Sequence, residues 1–390
     1  MISGEKRSTG PIRWAMVGGG RGSQIGYIHR SAALRDSTFA LVAGAFDIDP
    51  ARGRAFGIDI GVEAERCYPD YSAMFAAEAG RADGIQAVSI ATPNNTHFAI
   101  CKAALQAGLH IVCEKPLCFT VEEAEELREL TAARNRVLGV TYGYAGYPMI
   151  EQARQMIARG DLGEIRIVNM QFAHGFHSEA VEAANPAARW RVDPKFAGPS
   201  YVLGDLGTHP LYIAEVMLPE LKIRRLLCTR QSFVKSRAPL EDNAFTIMEY
   251  DTGAVGTHWS SAVNAGAMHS QKIRVVGAKA SLEWWDEHPN QLTYEVQGRP
   301  PQLLDRGMDY LYPEARIDDR ISGGHPEGLF EAWANLYYRF ALAMDATDRG
   351  DAALLATIRY PDVHAGVEGV RWVENCVRSA DQGGVWVDYA

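Results

Sequence analysis

The sequence predicts a two-domain α/β protein: a parallel-sheet domain over residues 1–145, then an α+β domain over residues 146–390. Two observations carry this expectation. In the first third, short apolar runs alternate with helical patterns, the mark of βαβ units with right-handed crossovers. Beyond about Tyr147, strand-like runs follow one another without intervening helices, which calls for a mostly antiparallel or mixed sheet. A chain of 390 residues suits two domains of about 100–200 residues each.

The expected strands of the first domain are 12–17, 39–46, 87–91, 109–113 and 137–141. Helical patterns cover 24–34, the stretch ending near 107, and 120–134, where Thr120 and Glu123 have capping-box spacing. In the second domain a helix over 148–159 leads to strands at 164–173, 223–234, 244–250, 254–262, 271–276 and 281–285. Residues 297–326, rich in Pro, Gly and Asp, read as an extended loop before helices at 327–347 and 362–379.

Composition narrows the function classes. Hydrophobic residues make up 47% and charged residues 22%, which excludes a disordered or collagen-like chain. The net charge of −9 argues against nucleic acid as a partner. No apolar run approaches the ~18 residues of a membrane span, and the polar start lacks a secretory h-region. Six scattered cysteines without a CxxC pair read as reduced thiols. A cytoplasmic protein with no metal site is the expectation.

Chemistry concentrates in a few places. Val17-Gly18-Gly19-Gly20-Arg21-Gly22-Ser23-Gln24-Ile25-Gly26 joins the first strand to the first helix, the context of a dinucleotide fingerprint. Glycines admit a pyrophosphate to the backbone and the helix N-terminus favours its charge. Gly18, Gly20, Arg21, Ser23, Gln24 and Ile25 are therefore cofactor candidates, although two glycine frames compete. Asp47, ending the second strand, can accept from ribose hydroxyls and would repel a 2′-phosphate; no Arg follows it immediately, so NAD is favoured over NADP. Lys115 follows the strand at 109–113, where ligands of a parallel sheet bind. Asp205 and His209, four residues apart, face the same way if a helix begins there. Together they make a proton-handling set suited to alcohol oxidation.

Thr92-Pro93-Asn94-Asn95-Thr96-His97, Glu114-Lys115-Pro116 and Asp205-Leu206-Gly207-Thr208-His209, in that order behind a glycine loop, resemble the Gfo/Idh/MocA oxidoreductases. The resemblance spans nearly the whole chain. It implies a Rossmann domain with NAD, and a second domain whose open-faced sheet serves assembly as a homodimer or homotetramer. Lys115, Asp205 and His209 match the catalytic set. Thr92, Pro93, Asn94, His97 and Glu114 match the cofactor site, and Gly26-Tyr27-Ile28-His29 matches the closing Gly-x-x-His. Two departures stand out: five residues separate Gly20 from Gly26, and Gly143 and Ala145 flank Tyr144 where the family has Asn and Arg.

Tyr144, His177, Trp190 and Arg191 complete the expected substrate site, since Trp packs on sugar C–H faces and Arg pairs with anionic groups. The expected activity is oxidation of a secondary hydroxyl on a sugar, polyol or glycoside. The alternative is an NAD-dependent glycosidase working by transient oxidation, elimination, hydration and re-reduction, with no net NADH.

Overall fold

A computed structural model describes residues 10–185 and 189–390. These divide into two compact units, one of residues 10–141 with Trp333–Glu368, the other of Tyr142–Ala332 with Gly369–Ala390. The second-domain assignment of residues 146–390 therefore differs from this division in one segment. Trp333–Glu368 returns to the first unit because its aromatic residues fill that core. Tyr337 packs edge-on against Trp14 and Phe39 with centroids 6.2 and 5.5 Å away. Phe340 occupies the space beside Gly139, where a Cβ would clash with its ring.

In the first unit, β1 (Ile12–Gly18), β2 (Phe39–Ala45), β3 (Ala87–Ala91), β4 (His110–Cys113) and β5 (Leu138–Val140) form a parallel sheet of order β2-β1-β3-β4-β5. Near-continuous apolar runs make these strands, and all of β4 and β5 is buried, as expected of a sheet covered on both faces. The strand order reverses between β1 and β3. A ligand crevice belongs at the carboxyl ends there, and the glycine loop, Asp47, Thr92 and Glu114 all follow such ends.

The second unit carries nine strands: β6 (Ile165–Ala173), β7 (Ile223–Gln231), β8 (Asn243–Tyr250), β9 (Val255–Ser261), β10 (Gln271–Gly277), β11 (Ala280–Trp285), β12 (Gln291–Val296), β13 (Gln302–Asp305) and β14 (Val387–Asp388). Their order is β13-β12-β11-β10-β6-β9-β8-β7-β14, antiparallel except for the β6–β9 pair. The mostly antiparallel sheet was expected, but β12, β13 and β14 were not. They lie at the sheet's ends, are short and mixed in polarity, and so lack a strong alternating pattern. The segment expected to be an extended loop over 297–326 thus contains β13 and a short helix, Pro313–Arg316. One face of the sheet packs on the helices Pro148–Ala158 and Thr208–Met217. On the other, Phe245, Ile247, Val255 and Ile167 are exposed, and Phe245 stacks on Trp259 at 5.7 Å. Among the described residues, no helix is long and apolar enough to cross a membrane.

Candidate active site

The glycine loop uses the glycines of both competing frames. Gly18, Gly19 and Gly22 have φ near +76°, +69° and +80°, a region that disfavours side chains. A Cβ on Gly20 would lie 2.5 Å from the Phe46 carbonyl oxygen, and one on Gly26 would collide with the Gly19 backbone. The glycines of both frames are therefore structural, by conformation at 18, 19 and 22 and by close approach at 20 and 26, and the five-residue spacing is accommodated. Ser23 caps the helix Gln24–Arg35, its Oγ accepting from the Gly26 N–H at 3.1 Å. Gln24 is exposed and Ile25 half-buried beside it. Arg21 lies at the surface, ion-paired with Asp59. Arg30, not foreseen, donates to the Gly19 carbonyl at 2.7 Å and braces the loop.

Asp47 sits as expected at the end of β2, but it has a cationic neighbour. Arg52, one turn into the helix Pro50–Asp59, donates to its Oδ1 at 2.8 Å. That bond, with the Asp49 N–H, holds the Asp47 carboxyl below its ordinary range.

Beyond β3, Thr92 accepts from the Thr96 hydroxyl at 2.7 Å; Pro93 is exposed and Asn94 buried. His97 is buried, with Nδ1 2.9 Å from the Pro116 carbonyl and Nε2 2.9 Å from that of Thr92. It ties the 92–94 loop to the Lys115 loop, and burial lowers its pKa. Cofactor contact was the expected role; what the structure gives it is bracing of both loops.

Lys115 is half-buried, and its bond to Pro116 is cis. Its neighbour Glu114 ends a buried chain of hydrogen bonds. Trp14 Nε1 donates to Ser89 Oγ (2.9 Å), Ser89 to Tyr337 Oη (2.7 Å), Tyr337 to His29 Nδ1 (2.5 Å), and His29 Nε2 to Glu114 Oε1 (3.1 Å). Thr141 donates to the same carboxylate oxygen at 2.5 Å. Burial alone would raise the Glu114 pKa; the bond from His29, the charge of Lys115 and the Thr141 hydroxyl reverse this and lower it. The family pattern pointed to His29 and Glu114, but Ser89, Thr141 and Tyr337 carry no motif.

In the second unit, Asp205 lies in a π-helical turn, Leu203–Gly207, that runs into the helix Thr208–Met217 carrying His209. A helix does run through both residues, but its turn at Asp205 is the wider π type rather than α; such turns recur at functional sites. Its first residues are held by the buried Glu241 carboxylate, which accepts from Ser200 Oγ (2.5 Å) and from the Tyr201 and Leu203 N–H groups (3.1 and 3.2 Å). Its far end rests on His258, whose Nε2 is 3.1 Å from the Gly207 carbonyl.

Arg191 Nε donates to Asp205 Oδ2 at 3.3 Å and its guanidinium lies over the Trp190 ring at 4.4 Å. These three expected residues are thus brought together. His177 hydrogen-bonds Tyr201, and burial, then the charges of Arg191 and Arg237, lower its pKa. His174, left out of the expected site, is pushed down to about 4 by burial and the neighbouring His177.

His209 is buried among aromatic rings: Tyr144 edge-on at 4.9 Å, Tyr142 edge-on at 5.9 Å and Phe172 at 6.0 Å. Tyr144 Oη is 3.2 Å from Nε2 of His269, whose Nδ1 is bonded to Asp286. Seventeen residues with no motif separate that pair, so sequence spacing gave no signal for it. Among the described residues no group of three or more His, Cys, Asp or Glu side chains could hold a metal ion.

Residues 12–142 match the GFO_IDH_MocA model described as an oxidoreductase family's NAD-binding Rossmann fold, and 154–389 that of its C-terminal alpha/beta domain. The chain belongs to the Gfo/Idh/MocA oxidoreductase family. This Gfo/Idh/MocA chain is 57% identical over 391 residues to the uncharacterized oxidoreductase YfiI of Bacillus subtilis (strain 168), covering 100% of both. It superposes on an inositol dehydrogenase homolog from Azotobacter vinelandii complexed with NAD+, with TM-score 0.99, 75% identity and full coverage of both chains. The same homolog complexed with NADH and myo-inositol matches at TM-score 0.96 and 74% identity, again with full coverage. The close glycine loop before a helix N-terminus, with a carboxylate at the end of β2, fits the dinucleotide that the family's first domain binds.

Proposed function

We propose that this protein is an NAD-dependent dehydrogenase that oxidises a secondary hydroxyl of a cyclic polyol or sugar. The supporting observation is the 74%-identical homolog solved with NADH and myo-inositol. Gly18, Gly20 and the helix start at Ser23–Ile25 hold the pyrophosphate, Asp47 the adenosine ribose, and Thr92–Asn94 and Glu114 the nicotinamide side. When bound, NAD supplies the hydride acceptor.

The chain's own residues do the rest. His209 removes the hydroxyl proton, Lys115 hydrogen-bonds the reacting oxygen, and Asp205 orients the substrate while its charge is shared with Arg191. Tyr144, His177 and Trp190 line the sugar. The exposed apolar face around Phe245 and Trp259 serves self-association as a dimer or tetramer. A redox-neutral glycosidase draws no support from these relatives.

Replacing Lys115 by Ala tests the assignment. NADH affinity should stay within about twofold while turnover falls at least about a hundredfold, the scale of a lost proton-handling group. Unchanged turnover would overturn it.

A further inference from the structure

We infer that Asp286 and His269 act as a positioning dyad, fixing the Tyr144 ring that walls His209; this rests on the dehydrogenase reading above.

The dyad is built, not incidental. Asp286 follows β11 and Glu287 follows it, and the two acidic side chains clamp residues 269–271 between β9 and β10. Glu287 Oε1 accepts from the His269 and Ser270 N–H groups at 3.2 and 2.8 Å. Asp286 Oδ1 accepts from the Gln271 N–H at 3.1 Å, while Oδ2 bonds His269 Nδ1. Gln171 on β6 adds a bond to Ser270 Oγ at 2.7 Å. Five hydrogen bonds, four from the turn after β11 and one from β6, therefore set where the His269 ring lies.

The consequence is a fixed ring. Asp286 holds the Nδ1 side of His269, and Nε2 on the opposite edge lies 3.2 Å from the Tyr144 hydroxyl. The Phe172 ring holds the other side of His269 at 4.5 Å. Tyr144 is then held at both ends: by this bond at its hydroxyl and by edge-on packing against His209 at 4.9 Å. Gly143 and Ala145, where the family has polar Asn and Arg, offer Tyr144 no side-chain partner of their own. A wall fixed in this way limits the orientations His209 can take, which matters because small misplacements of a proton acceptor are costly to rate.

The test uses the full-length protein with NAD and myo-inositol, comparing wild type with His269→Ala, Asp286→Asn, Tyr144→Phe, His269→Gln and the His269→Ala/Tyr144→Phe double variant. Each of the first three should lower kcat by about tenfold, with little change in KM for the two dyad variants. The double variant should be no worse than His269→Ala, because the two residues act through one hydrogen bond. His269→Gln, which keeps an amide able to donate and accept, should recover part of the loss. For His269→Ala and Asp286→Asn, NADH affinity and the dissociation constant of myo-inositol for the NADH-bound protein should stay within about twofold, which a general loosening of the fold would not allow. Fully additive losses, or single variants as fast as wild type, would overturn the inference and leave the dehydrogenase reading intact. A wild-type protein that forms no NADH from any cyclic polyol would overturn both.

Discussion

The His29 Nε2 atom lies 3.1 Å from Glu114 Oε1, and both side chains are buried. This contact links the glycine-loop helix to the loop that carries Lys115, inside a chain of donors running one way from Trp14. Removing His29 strands a buried carboxylate, a loss that costs about 3 kcal/mol. His29→Ala should lower the denaturant midpoint accordingly and reduce NADH affinity, both read on the purified protein. An unchanged midpoint would mean that Lys115 and Thr141 alone satisfy Glu114.

The same carboxylate makes a pH prediction. Its pKa is lowered in the folded protein, so its contribution is present above the ordinary value of 4.5 and is lost as pH falls through the lowered value. His174 and His258 act sooner on acidification. Both are pushed down from 6.5 to about 4, chiefly by burial, so the unfolded chain takes up the proton first. Stability should therefore fall between about pH 6.5 and 4, by on the order of 3 kcal/mol per histidine. His258→Asn should flatten this slope in pH-dependent urea melts; an unaltered slope would remove His258 from the account.

Arg52 against Asp47 bears on cofactor choice. On the proposed reading the Asp47 carboxylate serves the adenosine ribose, and the Arg52 guanidinium is bonded to it, so removing the first frees the second for a 2′-phosphate. Asp47→Ser should move the NADP-to-NAD ratio of kcat/KM toward NADP by about tenfold or more. A uniform loss with both cofactors would show that Arg52 does not reach.

The glycine frame is testable by a single methyl. Gly20→Ala places a Cβ 2.5 Å from the Phe46 carbonyl oxygen, which is backbone and cannot swing aside. It should lower stability by about 1–3 kcal/mol and weaken NADH binding. Gly22→Ala, which meets nothing within 4 Å, should cost less, through its positive φ alone. Equal losses at both positions would contradict a close approach of Gly20 to the Phe46 carbonyl.

Much of this was legible in the sequence where the signal is local. The runs that became β1 and β3 are apolar and end in turn residues, and the glycine loop, Glu114-Lys115 and Asp205…His209 announce themselves by motif. What escaped depends on packing between distant segments. Tyr337 joins the first unit across more than 240 residues because Trp14, Phe39 and Ser89 accept it, and no periodicity records that. Thr120 does cap its helix, but Glu123 reaches back to the Phe119 N–H, one residue earlier than the box pattern implies. Arg52 is not adjacent to Asp47 along the chain, but the helix brings this residue, five positions on, back to it. The π-helical turn at Asp205 is set by Glu241 and His258, neither of which lies near it in sequence.

Net NADH formation tests the central claim most directly. Wild-type protein incubated with excess NAD and a panel of cyclic polyols, sugars and glycosides should yield one NADH per molecule of cyclic polyol or sugar oxidised, followed by near-ultraviolet absorbance and product mass. Release of an aglycone with no accumulation of NADH, or no turnover of any polyol or sugar by a protein that binds NAD, would contradict it.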